Sequence, residues 1–145
     1  MFKSVLFIVM IFAYGSPSYS SGTDCDQIFS QGRNLSSLGK YNTRVGMLCY
    51  EKAYWAAEEG DTELACDYLV DALEYFKVVE KNYDQSEGFL STALEICTGD
   101  ENEAVRKALN ELYYSLEFVN YYAQLMTKEL KVNCLRSSKF GSNSL

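Results

Sequence analysis

The feature that most constrains the fold is an apolar seam near the C-terminal end. Its members are separated by gaps of 4, 3, 4, 3, 4, 3 and 4 residues: Val105, Leu109, Leu112, Leu116, Val119, Ala123, Met126 and Leu130. This spacing places all of them on one face of a helix, as in a helix bundle or coiled coil. We expect this helix, about 32 residues long, to exceed its neighbours. Its overhang would then project, or pack against a second copy through residues 105–130.

Helical spacing also extends upstream of this seam. The stretch 43–59 places Leu48 and Trp55 on an apolar face with Ala53, which predicts a helix that Gly60 ends. Further helices are predicted over 24–38, 61–82 and 84–97, and the only proline is Pro17. We therefore expect an all-α, four- to five-helix bundle of antiparallel hairpins, with turns at Gly60-Asp61 and Gly99-Asp100.

The first twenty residues have the order of a secretory signal peptide. Lys3 precedes the apolar run 5–13, and small residues follow Gly15 and Pro17. The apolar run is too short to span a bilayer. We expect a signal peptide over 1–20, a helical domain over 21–136, a disordered tail over 137–145, and no membrane span once the signal is removed. The mature protein would be secreted or periplasmic.

Charge and composition exclude several function classes. The chain carries a net charge of −7 and contains no histidine. Histidine is the commonest general base and metal ligand, so its absence argues against most enzymes and most metal sites. Nucleic-acid binding requires a basic surface, which this acidic chain lacks. We expect no catalytic residues, no metal and no cofactor.

Five cysteines in an exported chain predict disulfide bonds, with one thiol left over. Cys66 and Cys97 lie near the two predicted turns, at similar heights on consecutive helices, which favours their pairing. Cys25 with Cys49 is the next most plausible bond. Cys134 would then be unpaired, or would link two molecules.

Two groups of side chains are candidate partner-binding residues. Acidic residues dominate the region from Glu51 to Glu103, which holds fifteen Asp or Glu and three Lys. A cationic protein could dock on this face at Asp67, Asp71 and Glu74. Tyrosine is favoured at protein interfaces because its ring is apolar and its tip polar. The second group is therefore the pairs beside the long seam: Tyr113, Tyr114, Tyr121 and Tyr122.

The segment 49–76 resembles one tetratricopeptide repeat unit. Small residues, a helix-ending glycine and an apolar residue stand where that family has them: Ala53, Gly60, Ala65, Leu69 and Ala72. Cys49 replaces the family's aromatic residue near the start, and its closing proline is missing. The resemblance implies a helical hairpin with a repeat-like first half, and a protein-binding scaffold rather than a catalyst.

Together these observations predict an exported, disulfide-stabilised helical protein that engages or neutralises a protein partner, as an immunity protein, an inhibitor or a scaffold does. One alternative is a carrier of a small apolar ligand, in a cavity lined by Phe76, Phe89, Leu112 and Leu116. Another is a homodimeric structural component joined along the long helix.

Overall fold

Three long helices run up, down and up in a computed structural model that describes residues 21–134. They are α1 (Ser21–Glu58), α2 (Thr62–Ile96) and α3 (Gly99–Glu129), and a π-helical turn (Leu130–Cys134) follows α3. The described part of the chain contains no strand, so the all-α prediction is confirmed. The prediction of four to five helices was wrong. The signal peptide over 1–20 and the tail over 137–145 lie outside the described residues.

The helix count is lower because two predicted helix ends are helix interiors. Gly39 and Tyr83 both lie within continuous helices, at the places where one helix was expected to give way to the next. The helix α1 continues through Gly39 because the Tyr83 ring packs into the space that the missing side chain leaves, and this packing stabilises the helix at that point. As a result α3, with 31 residues, is shorter than α1 with 38 and α2 with 35. The predicted overhang of the last helix does not exist.

Both predicted turns are present. Gly60 and Gly99 adopt positive φ angles of 84° and 57°, which glycine reaches without steric cost. Asp61 caps α2, since its Oδ1 accepts a hydrogen bond of 3.1 Å from the backbone N–H of Leu64. The first turn joins α1 to α2 in a helical hairpin across 49–76, although both helices continue far beyond the length of a repeat unit.

Close packing of α1 on α2 rests on a stripe of glycines. Gly32, Gly39 and Gly46 recur every seven residues, and an added Cβ would lie 2.8 Å or less from side chains of Leu90, Tyr83 and Phe76 respectively. These large side chains also recur every seven residues, in the opposite direction along α2. Each one fills the space that a glycine leaves, so the two backbones approach closely.

The C-terminal seam is covered by this chain's own α2. Val105, Leu112, Val119 and Met126 are fully buried, in one core cluster with α2 residues such as Val79. The surface predicted to join two copies through residues 105–130 is therefore used within the monomer. The core also contains a polar link, because the buried Ser86 hydroxyl donates a 2.8 Å hydrogen bond to the carbonyl of Gly32.

The disulfide pairing differs from the prediction. Cys25 bonds to Cys97 and Cys66 bonds to Cys134, with Cα–Cα distances of 5.2 and 5.7 Å, and Cys49 is the free thiol. The predicted Cys66–Cys97 and Cys25–Cys49 bonds fail because the helices are longer than expected. With α2 continuous, Cys66 and Cys97 stand at its opposite ends, about 46 Å apart. Instead, Cys97 lies beside Cys25 at the start of α1, and Cys66 lies beside Cys134, which follows α3.

Candidate binding groove between α1 and α3

An open apolar groove of about 810 Å³ runs along α1 beside α3. Eight of its lining residues belong to α1, and one belongs to α3: Thr43, Arg44, Met47, Leu48, Tyr50, Glu51, Tyr54, Trp55 and Phe118. The glycine stripe turns one face of α1 towards α2, so this second face is left without a covering helix.

Large apolar side chains at the groove remain open to solvent. Leu48 is 56% exposed, Trp55 is 58% exposed and Phe118 is 42% exposed. Tyr54 is also exposed and packs edge-on against Trp55, with ring centroids 5.6 Å apart. Exposed apolar residues grouped in this way are typical of interaction surfaces, where Trp and Tyr are enriched among the residues that contribute most to binding.

An aromatic cluster supports the α3 side of the groove. Tyr122 packs against three rings, with centroid distances of 6.2 Å to Tyr50, 4.6 Å to Phe118 and 5.2 Å to Tyr121. The Tyr50 hydroxyl donates a 2.9 Å hydrogen bond to Glu129. Burial and this bond raise the pKa of Tyr50 to about 12, so its phenol stays neutral at ordinary pH. These contacts hold α3 against α1 and keep Phe118 in place.

A second recess of about 400 Å³ extends the groove towards Tyr114 and shares Thr43, Arg44 and Phe118 with it. At this end Lys40 and Glu111 form an exposed ion pair of 3.3 Å between α1 and α3. From Lys40 to Trp55 the combined surface covers about 22 Å of helix axis. It is therefore long enough to contact about four turns of another helix.

Two charges lie on this surface without an ion-pair partner. Arg44 and Glu51 are exposed and seven residues apart, so they point in nearly the same direction from α1. Within residues 24–134 the pair between Lys40 and Glu111 is the only salt bridge, so neither charge is neutralised inside the described chain. A bound partner could neutralise both.

The predicted tyrosine pairs are divided between two faces. Tyr114 lines the recess, and Tyr121 and Tyr122 belong to the aromatic cluster beside the groove. Tyr113 lies apart from them, since its hydroxyl donates a 2.8 Å hydrogen bond to Glu87 of α2, which raises its pKa.

The predicted acidic face lies elsewhere. Asp67, Asp71 and Glu74 are exposed on α2, and none of them lines the groove. Asp71 faces the free thiol: burial first, and then the charge of Asp71, raises the pKa of Cys49.

The sequence predicted that Leu48 and Trp55 share an apolar face of α1 with Ala53, but Ala53 is buried whereas Leu48 and Trp55 are exposed. A second set of residues in the α1 sequence, also at helical spacing, could have identified this exposed face. Its members, separated by gaps of 3, 4, 3 and 4, are Tyr41, Arg44, Leu48, Glu51 and Trp55. We call these five residues the outer seam. The glycine stripe was the other missed signal, since it shows which face of α1 meets α2.

Other candidate sites offer less. Cys25, Cys97 and Glu101 bring three ligand-type atoms within 4.8 Å of one another, but the two sulfurs are bonded together and offer no thiolate. The four residues predicted to line a ligand cavity are not brought together as one lining. Phe76 and Leu112 are packed in the core, Leu116 lies partly buried against it, and Phe89 is exposed.

No helix within residues 21–134 combines the length and apolarity that a membrane crossing requires. No protein-family model, curated protein or solved structure matches this chain.

Proposed function

We propose that this chain is an exported protein-binding module and that the groove between α1 and α3 is its binding surface. The observation that carries the proposal is the exposure of Leu48 and Trp55 on a helix whose opposite face is tightly packed. Exposed apolar side chains of this size raise the free energy of the isolated protein in water, and a partner that covers them lowers it. Export rests on the signal-like residues 1–20, and the two disulfides are consistent with an oxidising compartment.

The partner that fits this surface is an amphipathic helix. The groove is open and its lining follows α1 from Thr43 to Trp55, which suits a rod better than a compact ligand. Such a helix would place apolar residues at heptad spacing against Leu48 and Trp55. It would also carry an acidic residue opposite Arg44 and a basic residue opposite Glu51.

A protein that binds its partner through this groove could neutralise that partner or serve as a scaffold for it. The acidic residues Asp67, Asp71 and Glu74 provide a separate surface, on which a cationic partner could dock. The ligand-carrier alternative is less favoured, because the residues predicted to line its cavity lie partly in the packed core and partly in solvent.

Site-specific photo-crosslinking in the producing cell tests the proposal. A benzophenone side chain at Leu48 reports on the groove, one at Asp67 reports on the acidic face, and one at Lys107 serves as the control. All three positions are exposed, so the probes do not disturb the core. We expect one discrete protein adduct from position 48, with none from 107. An adduct from 67 alone would move the binding surface to the acidic face, and no adduct from 48 contradicts the proposed groove.

A further inference from the structure

The outer seam of α1 has the alternating spacing of 3 and 4 residues found in a two-stranded coiled coil, with apolar residues at one of the two heptad positions and charged residues at the other. Apolar Tyr41, Leu48 and Trp55 occupy one heptad position and are 63%, 56% and 58% exposed. Arg44 and Glu51 occupy the other heptad position, three residues after Tyr41 and Leu48 respectively. In a coiled coil both positions face a partner helix. Within the described residues no helix covers this seam.

The charges on the seam determine which partner helix can pack there. In a parallel pairing with another α1, Arg44 would meet Arg44 and Glu51 would meet Glu51, and both contacts would repel. In an antiparallel pairing centred on Leu48, Arg44 lies within one residue of the level of Glu51 of the second helix, and Glu51 lies within one residue of the level of its Arg44. The same pairing places Tyr41 against Trp55 of the second helix, and Leu48 against its own equivalent.

We infer that the groove is occupied by the α1 helix of a second copy of this chain, in an antiparallel arrangement related by a two-fold axis beside Leu48. This inference rests on the proposed function and names the partner. A two-fold interface uses the same patch on both molecules, so each patch must be complementary to itself. The outer seam meets this requirement, because its positive and negative positions lie at equal distances from Leu48, to within one residue.

This interface is centred on α1, whereas the dimer predicted through residues 105–130 used the α3 seam, whose members Val105, Leu112 and Val119 are buried within the monomer. It also explains why Arg44 and Glu51 lack partners within the described chain. Phe118 and Tyr114 of α3 flank the seam, so each copy would add apolar area beside the helix pair.

Charge reversal tests the pairing through sedimentation equilibrium of the purified full chain. Arg44→Glu alone and Glu51→Arg alone each convert two attractive contacts into two repulsive ones. We expect either single variant to raise the dimer dissociation constant by about tenfold or more. The double variant Arg44→Glu with Glu51→Arg restores complementary charges, so its dissociation constant should return to within about threefold of the wild type. Both substituted residues favour helices, and circular dichroism confirms that each variant is folded.

Matched controls carry the same charge changes away from the seam. Lys107→Glu and Glu103→Arg lie at exposed positions of α3 and should leave the dissociation constant unchanged. A second measurement reports geometry: Leu48→Cys in a Cys49→Ser background should form an intermolecular disulfide on mild oxidation, whereas Lys107→Cys in the same background should not.

The outcomes separate this inference from the proposed function. A wild-type monomer at about 100 μM, or a dimer that the double variant fails to restore, overturns the inference. If position 48 then still crosslinks to a different protein, the groove is a binding surface as proposed, but its occupant is not a second copy of this chain. If position 48 crosslinks to nothing and the protein is monomeric, both proposals fail.

Discussion

Gly39 of α1 lies directly beneath the phenol ring of Tyr83 in α2, and a Cβ at position 39 would lie 2.2 Å from Cε1 of that ring. Tyr83 is 1% exposed and belongs to the core cluster. Gly32 and Gly46 make the same kind of contact with Leu90 and Phe76. The spacing of α1 from α2 therefore depends on the absence of side chains at three positions.

Gly39→Ala should destabilise the protein, even though alanine favours helices by about 1 kcal/mol over glycine. The added methyl group forces the two longest helices apart or displaces Tyr83, and overpacking of this kind costs about 1–3 kcal/mol. We expect a net loss in the free energy of unfolding, measured by urea denaturation.

Gly88→Ala is the matched control for that substitution. Gly88 also lies inside a helix, but nothing stands within 4 Å of the Cβ it would gain. Here only the helix propensity changes, and we expect a gain of about 0.5–1 kcal/mol in the free energy of unfolding. If the two variants change stability in the same direction, the glycine stripe does not set the helix spacing.

Peptide mass mapping under non-reducing conditions should find Cys25 linked to Cys97 and Cys66 linked to Cys134, with Cys49 alone alkylated. Each bond closes a long loop, with sequence separations of 72 and 68 residues. Replacing Cys66 and Cys134 together by alanine should therefore lower the free energy of unfolding by about 2–4 kcal/mol. Detection of a Cys66–Cys97 peptide would contradict the continuous α2.

The Cys49 thiol should react slowly with iodoacetamide near neutral pH. Burial and the charge of Asp71 raise its pKa above the ordinary value, while Lys52 lowers it. Asp71→Asn should therefore lower the pKa and speed alkylation at pH 8, and Lys52→Met should do the opposite. Equal rates in the two variants would show that neither charge acts on the thiol.

Stability should fall at alkaline pH through the phenol of Tyr50. Its pKa rises from 10.0 to about 12 on folding, so the folded state holds this proton more tightly than the unfolded state. The contribution is complete below pH 10 and is lost as the pH rises through about 12. Because solvent reaches part of the ring and screens the effect, we expect a loss of about 1 kcal/mol.

Tyr50→Phe isolates this contribution. In a Cys49→Ser background, which prevents disulfide exchange by the free thiol, the variant should lose the part of the pH dependence that Tyr50 causes. Urea denaturation at pH 9 and pH 11.5 measures the difference. If the loss of unfolding free energy between pH 9 and pH 11.5 is the same with Phe as with Tyr at position 50, the Tyr50 phenol does not cause that loss.

The two helices that border the candidate groove differ in how well the local sequence pattern predicted their buried faces. The apolar residues of the last helix were assigned to one face correctly, because their spacing alone determines that face. The face of α1 was misassigned, because Leu48 and Trp55 are as apolar as core residues. Whether a helix face is buried depends on which other helix packs against it. In α1 the buried face is the one that carries the glycines, which contribute no apolar side chain to the sequence pattern.

By itself, the sequence determined that the described chain is helical and that it turns at Gly60 and at Gly99. Both results follow from local physics: heptad spacing, the lack of proline after Pro17, and glycine's access to positive φ. The tertiary structure decided the number of helices, the disulfide partners and the exposed face of α1. These depend on contacts between residues far apart in the chain, such as Gly39 beneath Tyr83 and Cys66 beside Cys134, which no local pattern specifies.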